Sequence, residues 1–109
     1  MDIHQLTEEM NRFVTAKGWY TKNSPRPQTA RNLAVSLVLE AGEVLEHFQW
    51  GDEPGQKEEL GSELADVGLY LLQLASVSGI DLEEAILAKL QQNYKRKWDQ
   101  DIKQKEDNQ

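Results

Sequence analysis

The 109-residue chain has no cysteine, three prolines and two histidines, and each scarcity removes a class of explanation. Without cysteine there is no disulfide framework, no thiolate nucleophile and no thiolate metal site, a pattern at home in the cytoplasm. Basic residues are in deficit as well: 12 Lys and Arg face 19 Asp and Glu, a net charge of −7. A general nucleic-acid binder needs a basic surface, so that class is disfavoured. A small polyphosphate remains compatible, provided a metal neutralises charge locally. Long hydrophobic runs are also missing. Residues 33–45 are interrupted by Ser36, Glu40 and Glu43, so no membrane span is expected. Met1-Asp2-Ile3-His4-Gln5 lacks the basic and apolar regions of a secretory signal.

What is present is helical periodicity, with no convincing strand and no internal repeat. Ile3, Leu6, Met10, Phe13 and Val14 recur at helical spacing and predict a first helix over 2–17, stopped near Gly18. A connection with Trp19, Tyr20, Pro25 and Pro27 follows. Thr29 is placed to cap a second helix that runs to about Phe48. The Trp50–Gly55 segment is rich in turn residues. A third helix is expected over 56–78 with Gly79 as its stop, and Asp81 with Glu84 marks the start of a fourth. The length suits one all-α domain over residues 1–100, a four-helix bundle-type protomer, followed by a polar tail at 101–109. The middle helices are apolar on more than one face: Val35, Val38, Leu39 and Leu45 on the second, Leu69 and Leu72 on the third. A thick core is one solution. A homo-oligomer, tetramer before dimer, is the other, and neighbouring chains would then complete the walls of a site.

Two acidic pairs, Glu40/Glu43 and Glu63/Asp66, fall inside the most apolar helical stretches. Their spacing alone says nothing. Chance predicts about three acidic pairs at i,i+3 for this composition, and four occur, with Glu43/Glu46 and Asp81/Glu84 as the others. Direction is more telling. At about 100° per residue, Glu40 shares an arc with Leu33, Leu37 and Val44, and Glu63 with Leu60, Val67, Tyr70 and Leu74. Both pairs therefore point toward the stripe a helix buries. Carboxylates so placed repel one another unless a cation intervenes. Oxygen-only ligands suit Mg²⁺, with Mn²⁺ as the alternative. The two histidines add little to this expectation: His47, one turn beyond Glu43, is read as a surface residue at a helix end. No Glu-x-x-His motif supports a di-iron centre, and the zinc reading is weak.

The run Arg31-Asn32-Leu33, Glu40-Ala-Gly-Glu43, Phe48-Gln49-Trp50, Glu59-Leu60, Glu63-Leu-Ala-Asp66-Val67 and Tyr70, with Lys89-x-x-x-Asn93, resembles the all-α nucleoside triphosphate pyrophosphohydrolases. Within these it is similar to the MazG-like branch that includes the dCTP pyrophosphatases. The resemblance spans about residues 5–98. It implies hydrolysis of a (deoxy)nucleoside triphosphate between the α- and β-phosphorus, with Mg²⁺ held by Glu40, Glu43, Glu63 and Asp66. It implies a house-cleaning role in the nucleotide pool, with dCTP-like substrates first. Glu59 is a candidate further ligand or base, or an ordinary solvated glutamate near a helix start. Lys89 and Asn93, one turn apart, would reach phosphates or orient carboxylates. Arg96 would add charge, unless Lys95-Arg96-Lys97 is a solvated basic face. Trp19, Trp50 and Tyr70 are candidates to wall the base, although aromatics at such positions are more often core. Arg31 and Asn32 complete the set, with Asn32 able to bond the base or sugar.

Two departures touch the base-facing loop and the chain end. Ala30 stands where many relatives carry proline, and Lys97-Trp98-Asp99 replaces a Tyr-Pro ending. A phosphoribosyl-ATP pyrophosphohydrolase is the rival enzyme reading, opposed by Phe48-Gln49-Trp50 and the aromatic loops. A non-catalytic helical interaction module is the rival class. It would scatter its carboxylates around the surface.

Overall fold

The structure, a computed structural model, describes residues 1–96. Lys97-Trp98-Asp99, the domain boundary at 100/101 and the tail Lys103–Gln109 lie outside the described residues. Four helices account for the rest: α1 (Ile3–Ala16), α2 (Ala30–Glu46), α3 (Lys57–Val77) and α4 (Leu82–Lys95), with no strand among the described residues. None is long and apolar enough to cross a membrane.

Local chemistry sets the ends of these helices. Asp2 and Gln5 form a reciprocal box, the Asp2 carboxylate accepting from the Gln5 N–H at 2.8 Å and the Gln5 amide oxygen from the Asp2 N–H at 2.9 Å. Thr29 Oγ1 accepts from the Asn32 N–H at 3.1 Å, and Asp81 Oδ1 from the Glu84 N–H at 3.1 Å. Gly18 and Gly79 adopt φ of 71° and 69°, the left-handed region where a side chain is disfavoured. Each closes the same two-bond motif. Gly18 N–H bonds to Thr15 O and Trp19 N–H to Val14 O, while Gly79 N–H bonds to Ser76 O and Ile80 N–H to Ala75 O. The second helix ends two residues before the expected Phe48. There His47, Phe48 and Gln49 bond back three residues in a tightened turn.

Hydrogen bonds between helices give the topology. Gln28, just before α2, meets Gln73 near the end of α3, and His47, just after α2, meets Glu63 near the start of α3. These two helices are therefore antiparallel. On α1, His4 meets Asp81 and Asn11 meets Ser76, while Met10 and Val14 pack with Leu72. Hence α1 also runs antiparallel to α3. Both helices lie on α3, and they do not pack against each other. A cleft opens between them with α3 as its floor.

The core is correspondingly thin. Met10, Val14, Leu33, Leu72 and Ala75 are its buried apolar residues among those described, with Ile3, Trp19 and Leu82 packed around part of it. Leu72 was expected on a spare face of α3 but supplies the contact with α1. Val35, Val38, Leu39, Leu45 and Leu69 do remain exposed, Val38 and Leu45 at 70 % each.

Candidate active site

The cleft between α1 and α2 has a volume of ≈ 540 Å³. Its apolar wall is Leu6, Met10, Phe13, Val14, Trp19 and Leu69, and its floor carries Asp66, Tyr70 and Gln73 of α3 facing Glu40 of α2. Asp66 and Gln73 are seven positions apart, about two helical turns, so both lie on the arc that looks into the cleft. Trp19 reaches this wall because the motif at the end of α1 places it over Val14. Its ring meets Phe13 edge-on, with centroids 5.5 Å apart and planes at 89°. The Arg26 guanidinium lies 5.7 Å from the Trp19 ring centre. A smaller recess of ≈ 290 Å³ continues past Trp19 and Tyr70 to Arg26, Gln28 and Asn32.

Around the end of α2 and the start of α3 is an open polar cavity of ≈ 760 Å³ lined by Glu43, His47, Trp50, Glu59 and Glu63, among others. The four carboxylates thus sit on a divide, Glu40 and Asp66 toward the apolar cleft, Glu43 and Glu63 toward the polar cavity. Glu40 and Glu63 are half-buried, whereas Glu43 and Asp66 are exposed. Electrostatically they are one group. Burial raises the Glu40 pKa above its ordinary value, and the neighbouring Glu43, then Asp66 and Glu63, raise it further. Its Oε2 is buried without a hydrogen-bond partner. An orphaned acceptor in a negative environment is what a hard cation relieves, so the residues present fit a Mg²⁺ or Mn²⁺ ion.

His47 is not the surface residue expected from its place at a helix end. Its side chain is 9 % exposed, and Nε2 lies 2.6 Å from Glu63 Oε2. The tightened turn after α2 swings it inward. Its position one turn beyond Glu43 was the available signal. His4 carries a separate cluster at the start of α1, with ligand atoms of Asp2, His4 and Glu83 within 4.8 Å of one another. Among the described residues no other acidic or histidine trio is so close. The four α2–α3 carboxylates therefore share a space without converging on one point in the single chain.

The remaining sequence candidates divide. Trp19 and Tyr70 share the cleft and the recess, and Asn32 lines the recess with its amide donating to Pro27 O at 3.0 Å. Trp50 and Glu59 lie on the polar cavity, so the two tryptophans line different cavities. Arg31 is exposed on the first turn of α2. On α4, Lys89 donates to Gln92 at 3.3 Å on an exposed face and Asn93 is half-buried, while Arg96, just past its end, is exposed; none of these lines either carboxylate cavity. Sequence reasoning missed Gln73 and Gln28. Gln73 shares the Asp66/Tyr70 arc and could have been found there; Gln28 sits in an irregular loop with no periodic signal.

The chain is similar in sequence and fold to known proteins. A protein named dCTP pyrophosphatase 1 from Bos taurus is 36 % identical over 104 residues, covering 87 % of this chain and 57 % of that protein. Its counterpart in Homo sapiens is also 36 % identical over 104 residues, covering 87 % and 56 %. The chain therefore spans about half the length of these relatives. The crystal structure of a pyrophosphatase from Archaeoglobus fulgidus superposes with a TM-score of 0.70 at 33 % identity, covering 84 % of this chain and 87 % of that one. Residues 35–108 match the MazG-like family, a stretch that contains all four carboxylates. On these matches the chain belongs to the MazG-like family.

Proposed function

We propose that the protein is a Mg²⁺-dependent nucleoside triphosphate pyrophosphohydrolase that converts a dNTP and water to dNMP and pyrophosphate. The observation that carries this reading is Glu40: a buried, unpartnered carboxylate oxygen among three further carboxylates, at the edge of an aromatic cleft. Glu40, Glu43, Glu63 and Asp66 would hold the metal. Bound there, Mg²⁺ supplies charge neutralisation for the phosphates and a lowered pKa for water. Trp19 and Tyr70 wall the nucleoside, and the apolar cleft keeps bulk water from its base. One of the carboxylates accepts the proton that water loses as the α–β bond is hydrolysed. Arg31 at the start of α2, Lys89 and Asn93 on α4, and Arg96 just past its end are assigned to the phosphates. Glu59, beside Glu63 on the polar cavity, is assigned as a further ligand.

Substrates of the dCTP type are favoured, given the relatives' name, within a house-cleaning role in the cytoplasmic nucleotide pool. The exposed apolar stripe on α2 supports assembly into a homo-oligomer, tetramer before dimer. Incubation with each dNTP and NTP in Mg²⁺, followed by separation of products, tests the reading. Monophosphate and pyrophosphate in equal amounts support it. Diphosphate with phosphate, or no product from any nucleotide, overturns it.

A further inference from the structure

One buried polar residue in the cleft is not used by the carboxylate chemistry. Gln73 is 5 % exposed and is the buried polar residue among those described. It lines the floor of the cleft beside Tyr70 and one turn beyond Leu69. A glutamine in such a place needs partners, because an unmet amide costs about 1–3 kcal/mol. Its partners fix which way it faces. Gln28 Nε2 donates to the Arg26 carbonyl oxygen at 2.7 Å, and that oxygen can only accept. The Gln28 amide is therefore locked with Oε1 turned toward Gln73. Gln73 answers with its Nε2, which donates to Gln28 Oε1. The Gln73 amide also stands beside the Tyr20 hydroxyl, where it opposes the rise that burial gives the Tyr20 pKa. Tyr20 in turn donates to Asn11 Oδ1 at 2.8 Å, and Asn11 Nδ2 to Ser76 Oγ at 3.0 Å. One donor of Gln73 is thus committed to Gln28, and among the described residues its Oε1 neither takes a hydrogen bond nor is sealed from solvent.

We propose that Gln73, its amide held in one orientation by Gln28, reads the base by accepting a hydrogen bond from an exocyclic amino group such as cytosine N4–H. The distance fits. Asp66, at the metal end, and Gln73 are seven residues apart on α3, about 10 Å, the reach of a nucleoside from its α-phosphate to its base edge. Trp19 and Tyr70 flank the space between. The polarity also fits. An acceptor favours the amino group of cytosine and meets the O4 of uracil or thymine lone pair to lone pair. A site built to bond a polar group discriminates strongly against an analogue lacking it. Gln73 is then the specificity residue and Gln28 a positioning residue, which touches the substrate only through Gln73.

This inference rests on the proposed hydrolysis, and one set of measurements separates the two. The kcat/KM of dCTP and dUTP is measured for the full chain and for Gln73→Leu and Gln28→Leu, with helix content checked by circular dichroism. Wild type is expected to favour dCTP. Gln73→Leu is expected to reduce the dCTP/dUTP ratio about tenfold or more, mainly through KM for dCTP. Gln28→Leu frees the Gln73 amide to turn, so the ratio falls there too, with dUTP gaining relative to dCTP. Equal losses on both substrates in both variants, or a wild type that favours dUTP, would overturn the assignment while leaving the hydrolase reading intact. No release from either nucleotide by wild type would instead remove the hydrolase reading. If Gln73→Leu does not fold, the ratio in Gln28→Leu decides alone.

Discussion

His47 Nε2 and Glu63 Oε2 are 2.6 Å apart, across the antiparallel seam between the end of α2 and the start of α3. The bond ties a turn to a carboxylate assigned to the metal and leaves Glu63 Oε1 for other work. Partners of ligating carboxylates fix ligand orientation, and their loss typically costs about 10–100-fold in metal affinity or activity. His47→Ala is therefore expected to raise the Mg²⁺ concentration needed for half-maximal turnover about tenfold or more, with activity recovering at high Mg²⁺. A metal titration of the rate reads this directly. An unchanged Mg²⁺ requirement would assign His47 to packing alone.

Glu40 gives a prediction of opposite sign for stability and function. In the metal-free protein its charge is disfavoured by burial and by three neighbouring carboxylates. Glu40→Gln removes that charge, so metal-free melting should occur at the wild-type temperature or above it. Millimolar Mg²⁺ should raise the wild-type melting temperature and do so much less in the variant, since a ligand stabilises only the state that binds it. Equal Mg²⁺ shifts in both proteins would remove Glu40 from the metal site.

How much of this was legible beforehand follows from the kind of signal each residue leaves. The helices were readable because their caps are local: Asp81, Thr29, Gly18 and Gly79 act on residues within one turn. The arcs that carry the carboxylates were readable because helical periodicity fixes them. His47 was not, because its inward swing depends on the tightened turn at 47–49, which has no periodic pattern. Gln28 and Gln73 were not paired in advance, because their contact joins an irregular loop to a helix 45 residues away. The exposure of Glu43 and Asp66 escaped too, since an arc says where a side chain points but not whether a second helix covers it.

The contact between α1 and α4 should depend on pH. His4 Nε2 meets Asp81 at 2.9 Å and Nδ1 meets Glu83 at 2.8 Å. The hydrogen bond with Asp81 holds His4 above its ordinary value of 6.5. Asp81 is held below its ordinary 3.8, first by the Glu84 N–H and then by His4. A raised histidine contributes fully below its unfolded value and loses that contribution as pH rises through its folded one. A lowered aspartate contributes above its unfolded value and loses it as pH falls through its folded one. The clamp is thus strongest between 3.8 and 6.5. Melting curves of wild type and His4→Ala should differ most in that window and converge as pH rises beyond it. A difference independent of pH would contradict the assignment.

The outer stripe of α2 tests the proposed assembly. Val38 and Leu45 are each 70 % exposed and Leu39 is 66 % exposed, with no covering element among the described residues. Burying this stripe between copies contributes about 25 cal/mol per Å² of apolar surface, and a carboxylate placed there forfeits it. Val38→Glu should reduce the mass measured by analytical ultracentrifugation to that of one chain while leaving helix content unchanged. A wild type that sediments as a 12.5 kDa monomer would remove the oligomer from the account.

The central claim is that Glu40, Glu43, Glu63 and Asp66 form a metal site that hydrolyses nucleotides. Pyrophosphate release from dCTP, measured with millimolar Mg²⁺, then with excess EDTA, then with Mg²⁺ restored, tests it most directly, with Asp66→Asn run alongside. Release is expected to stop in EDTA, to return with Mg²⁺ and to be abolished in a folded Asp66→Asn. Release that persists in EDTA, or a variant as active as wild type, would contradict it.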